Sequence, residues 1–150
     1  MMNVYSRLKA IAIAVAISSF SSVALAQTTV HINPATDGGF EMGTSFIANG
    51  FTEVNHTAHQ WFIGPVGMAT GTNGAYISQD GGISNTYSNA LSQTSHFYRD
   101  ITVPAGETVI LLTFDLRNVG EGGWDRLLVY TAPTAVTPVA GTPASNATVL

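Results

Sequence analysis

The chain has 150 residues, a formal net charge of −4 at pH 7 and no cysteine. Disulfide bonds, thiolate metal ligands and thiol nucleophiles are therefore excluded. Five lysines and arginines against nine carboxylates are too few cations to neutralise a run of phosphates, so we expect no nucleic-acid partner and no anionic membrane partner. The excess of carboxylates favours a positively charged ligand instead, such as a divalent cation.

Residues 1–26 have the layout of a secretory signal peptide. Arg7 and Lys9 form a basic start, the apolar run IAIAVAISSF follows, and SSVALA ends in a small-x-small pattern before Gln27. The run is short and interrupted by serines, which favours cleavage over an uncleaved anchor. We predict a secreted or cell-surface chain without membrane insertion after cleavage, of 150 − 26 = 124 residues and formal net charge 3 − 9 = −6.

Residues 27–135 are predicted to form one all-β module. Helix-favouring spacing of Lys, Glu and Gln is nearly absent, and short β-branched or aromatic runs recur between turn clusters. A spacing of roughly ten residues between runs is typical of an antiparallel β-sandwich or jelly roll. The predicted strands are TTVHI (28–32), FTEVNH (51–56), QWFIGPV (60–66), GAYIS (74–78) and SHFYRDITV (95–103).

Two further runs predict a β-hairpin. TVILLTFDLRN (108–118) and DRLLVYTAP (125–133) are joined by a Gly-rich connection of about six residues, which is typical of a hairpin with a longer loop. Residues 136–150 are rich in Thr, Pro and Ala and carry no charge. This last segment is interpreted as a linker or as the start of further strands.

Catalysis is not expected in this chain. No nucleophile elbow, zinc-protease motif or phosphate-binding loop occurs. Glu121 and Asp125 lie on either side of the hairpin turn, which is not where a cleft with two facing carboxylates is expected. His56 and His59 have a spacing that points to opposite faces of a strand, so we interpret them as exposed loop residues, with metal binding as the alternative.

The stretch Asp37-Gly38-Gly39-Phe40-Glu41 is a candidate calcium site. It places two carboxylates around a flexible glycine pair that also exposes backbone carbonyls. Calcium prefers oxygen ligands from such mixed sources. The alternative is an ordinary Asp-Gly-Gly turn followed by an exposed glutamate.

The two tryptophans differ in their surroundings. Trp61 lies in an apolar strand run, so we interpret it as a core residue. Trp124 lies at the edge of the Gly-rich loop, and it is either a ligand-binding platform of the kind that stacks on sugars or an ordinary loop residue.

Several motifs occur in an order that resembles a known family. They cover about residues 36–135 and are DGGFEMG, NGFTEVNH, HQWFIG, GAYISQDGG, SHFYRDITVPAG and LTFDLRNVGEGGWDRLLVY. The arrangement resembles the jelly-roll modules of secreted and surface proteins of the Bacteroidetes type, related to the cleaved-adhesin and MAM-like domains. The resemblance implies an extracellular two-sheet sandwich that binds rather than catalyses.

The resemblance also implies a structural calcium ion near the first strand. Glu41 matches the acidic position after the opening Gly-Gly-Phe, and Asp125 matches the acidic position after the aromatic of the Gly-rich turn. Asp37 and Glu121 are additional candidate metal ligands. Domains of this kind continue with further strands, whereas this sequence stops at Leu150, so we expect a sandwich that is incomplete at its C-terminus.

The expected function is an extracellular binding or adhesion module of a larger secreted or cell-surface protein, which recognises a glycan or a protein. The alternative is a non-catalytic accessory domain of a secreted hydrolase, either a protease or a glycosidase. A third interpretation is a structural spacer in a surface layer.

Overall fold

The structure is a computed structural model that describes residues 29–118 and 120–150. The predicted signal peptide, residues 1–26, lies outside the described residues. No helix in the described part of the chain has the length and apolar character needed to cross a bilayer. The described strands are β1 (Thr52–Val54), β2 (Gln60–Gly64), β3 (Gly74–Ser78), β4 (His96–Tyr98), β5 (Tyr130–Thr131) and β6 (Thr148–Val149), with single-turn 3-10 helices at Ile47–Asn49 and Pro65–Gly67.

These strands confirm the prediction of a β-rich chain with antiparallel sheets. Within residues 29–118 and 120–150 they form three two-stranded antiparallel ladders, β1 with β4, β2 with β3 and β5 with β6. A two-stranded ladder is only marginally stable alone in water, so the packing between ladders matters for stability. The jelly-roll sandwich stays a prediction.

The β2–β3 ladder is the longest, and its burial pattern explains why it forms. Gly74, Tyr76 and Ser78 are buried while the two residues between them are half-buried, which is the alternation of a strand with one face in a core. A Cβ atom at Gly74 would overlap the carbonyl oxygen of Gly67, so the close approach there requires glycine. The Tyr76 hydroxyl donates to the Gly82 carbonyl at 2.6 Å, which satisfies the polar end of the buried ring.

Phe97 of β4 is the centre of an aromatic cluster that joins the β1–β4 and β2–β3 ladders. Its ring centroid lies 4.9 Å from that of Trp61 in β2 and 5.2 Å from that of Phe46. The rings of Phe51 and Phe40 lie 5.6 and 6.0 Å away. Aromatic pairs of this kind contribute about 0.5–1.5 kcal/mol each beyond the burial of their area. Trp61 packs in this cluster, as its apolar neighbours predict, but it is half-buried and not fully enclosed.

A fully buried asparagine fixes the loop before β1. Asn49 exposes 0% of its surface, and its side chain accepts from the Met42 N–H at 3.0 Å and donates to the carbonyls of Gly43 and Ser45 at 2.9 Å. An unsatisfied polar group in that position would cost roughly 1–3 kcal/mol. The three hydrogen bonds therefore hold the loop that places Phe46 in the aromatic cluster.

The predicted strand TTVHI (28–32) is wrong for residues 29–32, which belong to no ladder. The chain turns immediately afterwards, because Asp37 accepts a hydrogen bond from the Asn33 N–H at 3.0 Å and Asn33 accepts one from the Ala35 N–H at 2.9 Å. Local side-chain bonds to the backbone compete with strand pairing in this way.

The predicted hairpin between residues 108–118 and 125–133 is also wrong. Its first arm belongs to no ladder, and its second arm keeps only β5, which pairs with β6. β6 lies in residues 136–150, the segment interpreted as a linker or as the start of further strands.

Contacts outside the hairpin explain why its two arms do not pair. The Thr70 hydroxyl donates to Asp115 at 2.8 Å, which draws the first arm toward the loop before β3. The Leu150 N–H donates to the Val129 carbonyl at 3.0 Å, beside the β5–β6 ladder. One edge of the second arm is therefore already used by the C-terminal residues.

Large apolar side chains after residue 108 mostly face solvent. Their exposed fractions run from 38% at Leu127 to 85% at Leu111. By contrast, Phe46, Ile63 and Tyr76 expose 8% or less. We call residues 109–116 the apolar segment; its exposed members are Val109, Ile110, Leu111, Leu112, Phe114 and Leu116.

Candidate functional site

The four predicted calcium ligands lie in three different places, and Asp37 is the first. Its carboxylate forms an ion pair with Arg99, and both side chains are less than a quarter exposed. The hydrogen bond from Arg99 is the main cause that lowers the pKa of Asp37 to about 2. The other carboxylate oxygen accepts the Asn33 N–H, so Asp37 closes its own turn and ties it to the residue after β4.

Glu41 anchors a second loop. One of its carboxylate oxygens accepts the backbone N–H groups of Thr72 at 2.8 Å and Asn73 at 3.2 Å. These two hydrogen bonds, that of Thr72 first, lower the pKa of Glu41. Glu41 is therefore a carboxylate at neutral pH that holds the loop leading into β3.

The structure brings Glu121 and Asp125 together in the third place. One Asp125 carboxylate oxygen accepts the Glu121 N–H and the Tyr87 hydroxyl, both at 2.5 Å. The Glu121 carbonyl in turn accepts the N–H groups of Trp124 and Asp125 at 3.1 Å. Residues 120–126 thus form a turn closed by its own acids, which we call the acidic turn.

A neighbouring polar loop braces the acidic turn. The Tyr87 hydroxyl also accepts the Glu121 N–H at 3.2 Å, and the Asn89 amide donates to a Glu121 carboxylate oxygen at 3.2 Å. The loop is held in turn by His59, which is 7% exposed and whose Nε2 accepts the Ser88 N–H at 2.9 Å. A chain of hydrogen bonds therefore connects the start of β2 to the acidic turn.

The shared proton of this network stays on the tyrosine at neutral pH. The Tyr87 hydrogen bond, followed by that of the Glu121 N–H, lowers the pKa of Asp125. The same bond raises the pKa of Tyr87, because losing the proton would place two negative charges side by side. Asp125 is therefore ionised and acts only as an acceptor.

The acidic turn presents Trp124 to solvent. The indole is 84% exposed, although it lies between two residues whose backbones are held by hydrogen bonds. Gly123 has a φ of 90°, in the left-handed region that favours glycine. The Arg126 guanidinium donates to the Gly123 carbonyl at 3.4 Å and adds one positive charge to the turn.

An open cleft of about 1470 Å³ lies between the region around the aromatic cluster and the chain after residue 111. The Gln93 side-chain oxygen in its lining is buried and accepts no hydrogen bond from any described residue. The lining also includes the members of the braced network, namely His59, Tyr87, Asn89, Glu121, Trp124 and Asp125.

The placement of the acids does not fit one shared calcium site. Asp37 faces an arginine, Glu41 faces backbone N–H groups, and neither lies with Glu121 and Asp125. No group of three or more His, Asp or Glu side chains suited to a metal ion occurs among residues 29–118 and 120–150. Calcium takes roughly six to eight converging oxygens. Calcium binding stays a prediction from the sequence.

Sequence reasoning missed three residues of the site. His59 was expected to be an exposed loop residue and is instead buried, while Tyr87 and Asn89 drew no functional interpretation. Tyr87 and Asn89 lie 38 and 32 residues from the acids they contact, and His59 lies 29 residues from Ser88, so no local spacing links them. The only available signal was an isolated tyrosine in the polar loop NTYSNALSQ.

This chain matches no family model, no curated protein and no solved structure. The resemblance to secreted jelly-roll modules therefore stays a prediction. The geometry of the acidic turn and of the cleft is what supports a functional proposal.

Proposed function

We propose that this chain is an exported binding or adhesion module, built on an antiparallel sandwich, that recognises an extracellular glycan or protein. The observation that carries the proposal is the exposed Trp124 on the braced acidic turn, in the lining of the open cleft. Large aromatic side chains are enriched at recognition surfaces because they supply contact area at a low cost in conformational entropy.

One part of the cleft lining combines aromatic and polar groups in the way that ligand sites do. Ligand sites are concave and largely apolar, with a few polar groups that fix the orientation of the ligand. Here the aromatic groups of Trp124 and Tyr87 lie with the polar groups of Asn89 and Glu121 in one lining. The hydrogen bonds between these residues reduce the ordering that a ligand would have to impose.

Of the two proposed ligand classes, the apolar segment favours a protein over a glycan. Contiguous exposed apolar surface marks interaction sites more often than it marks the rest of a soluble protein. Leu111, Leu112 and Phe114 are each at least 46% exposed. The signal-peptide pattern of residues 1–26 supports export, where such a surface would meet extracellular partners.

The proposal is tested by binding. The purified exported chain is titrated against immobilised neutral and acidic oligosaccharides and against extracellular matrix proteins, with circular dichroism to confirm folding. We expect saturable binding to at least one ligand class. A folded chain that binds none of them would contradict the proposal.

A structural calcium ion, which is predicted from the sequence and not from the geometry of the acidic turn, is the second part of the proposal. Thermal unfolding is measured with calcium and then with a chelator, for the wild-type chain and for Asp125→Asn. A ligand that binds only the folded state raises the midpoint by several degrees when it is in large excess over its dissociation constant. A midpoint that calcium leaves unchanged would remove the ion from the account and leave the binding proposal standing.

A further inference from the structure

The acidic turn differs from an ordinary surface loop in how firmly it is held. Asp125 and Glu121 bond within the turn, and Tyr87 and Asn89 bond to it from the neighbouring loop. A Cβ atom at Gly120 would overlap the Asp125 side chain, so the close approach of the backbone to the acid favours glycine there. The turn is a rigid support, and the side chain it presents is Trp124.

An indole that is 84% exposed on a rigid support is a flat apolar surface without a described cover. Burying such a ring removes about 150–250 Å² of area from water. The C–H face of a pyranose ring matches this surface in size and shape, and its hydroxyl groups point outward to nearby acceptors.

Acceptors of the right kind lie in the same turn as Trp124. Asp125 uses one carboxylate oxygen for Tyr87 and Glu121, and Glu121 uses one for Asn89. The second carboxylate oxygen of each acid accepts no hydrogen bond from the residues that the structure describes. Asp125 is an ionised acceptor at neutral pH, since hydrogen bonding lowers its pKa, and hydroxyl donors form strong bonds to carboxylates.

The charge of the turn disfavours acidic sugars. Two carboxylates repel sialic and uronic acids, and the chain after residue 26 carries a formal charge of 3 − 9 = −6. A neutral ligand rich in hydroxyl groups does not meet this repulsion.

We propose that the acidic turn is a subsite for a neutral pyranose, which stacks on Trp124 and donates hydroxyl hydrogen bonds to Glu121 and Asp125. This inference rests on the proposed function and names the ligand class and the residues that recognise it.

The test titrates neutral gluco-, galacto- and manno-oligosaccharides into the wild-type chain and into Trp124→Ala, Trp124→Phe and Glu121→Gln, by calorimetry and by acrylamide quenching of tryptophan fluorescence. Ile83→Ala is the control, because Ile83 is an exposed apolar side chain that does not line the cleft. We expect at least about a tenfold loss of affinity for Trp124→Ala, a smaller loss for Trp124→Phe, and none for Ile83→Ala. Bound sugar should protect the indole from acrylamide.

Two counter-probes separate this inference from the proposed function. Affinity for the neutral sugar should change less than about twofold between low and high salt, since no ion pair is formed. Sugar binding that Trp124→Ala leaves intact would overturn the subsite and leave the proposed function standing. Tighter binding of oligolysine or of a uronic-acid oligosaccharide than of every neutral sugar would overturn the inference as well.

Discussion

The two parts of this chain differ in how their aromatic rings are packed. Before residue 100, Phe97 gathers four other aromatic rings, and buried groups such as Asn49 and Tyr76 have hydrogen-bond partners. After residue 108, the apolar segment and Trp124 face solvent. The comparison indicates that the first part holds the fold together, while the second part carries the surface available to a ligand. Four substitutions and one exchange measurement test that division.

The largest contrast is expected between two phenylalanines. Phe97→Ala removes the ring at the centre of the aromatic cluster and should lower the free energy of unfolding by about 3–5 kcal/mol. Phe114→Ala removes a ring that is 55% exposed and should change it by less than about 0.5 kcal/mol. Urea unfolding followed by circular dichroism measures both. Equal losses would mean that the apolar segment is packed and that the division is wrong.

Asn49→Ala tests how much one buried polar side chain stabilises the first part of the chain. The substitution leaves the Met42 N–H and two carbonyls without their partners in a buried loop, so we expect a loss of roughly 1–3 kcal/mol. Asn85→Ala, at an exposed position, is the control and should be close to neutral. A neutral Asn49→Ala would show that the loop is open to water.

Asp37→Asn tests the ion pair between the first turn and the end of β4. The pKa of Asp37 is about 2 in the folded chain against an ordinary value of 3.8. Its contribution is therefore fully present above about pH 4 and is lost as the pH falls toward 2. We expect a loss of about 1 kcal/mol at pH 7 that disappears near pH 2. Urea unfolding across this range measures it, with exposed Asp100→Asn as the control, and a loss independent of pH would contradict the pairing.

The smallest effect on stability is expected from Tyr87→Phe. Without the hydroxyl group, the pKa of Asp125 should rise toward its ordinary value, because the Tyr87 hydrogen bond is the main cause of its depression. Carboxyl carbon titration by NMR measures the shift, and Tyr98→Phe serves as the control. An unchanged pKa of Asp125 would show that the two side chains do not share the hydrogen bond in solution.

Two Asp-Gly-Gly stretches illustrate what the sequence can predict. Both predict turns, and both are turns. At residues 80–82, Asp80 bonds within its own loop, to the hydroxyl groups of Ser78 and Ser84 at 2.5 Å. At residues 37–39, the aspartate reaches Arg99 instead. The local conformation follows from the residues themselves, whereas the distant partner depends on how the ladders pack.

The same limit explains which strands were predicted well. β1, β2 and β3 combine an apolar period with glycine or polar boundaries, and each lies within its predicted range. The run 108–118 has the stronger apolar alternation, but its predicted partner edge is taken in part by the C-terminal residues. Periodicity predicts that a segment suits a strand, and it does not decide which neighbour the segment obtains. The acidic turn likewise drew attention in the sequence through its acids and Trp124, while the Tyr87 brace did not.

Amide hydrogen exchange along the exported chain, followed by mass spectrometry, tests the division between the two parts most directly. Backbone N–H groups in ladders exchange slowly, and groups without partners exchange almost freely. We predict slow exchange in β2 and β3 and fast exchange throughout residues 108–118. Protection of residues 108–118 equal to that of β2 would show a paired strand in place of an exposed segment. The division between a folded part and a ligand-facing part would then be wrong.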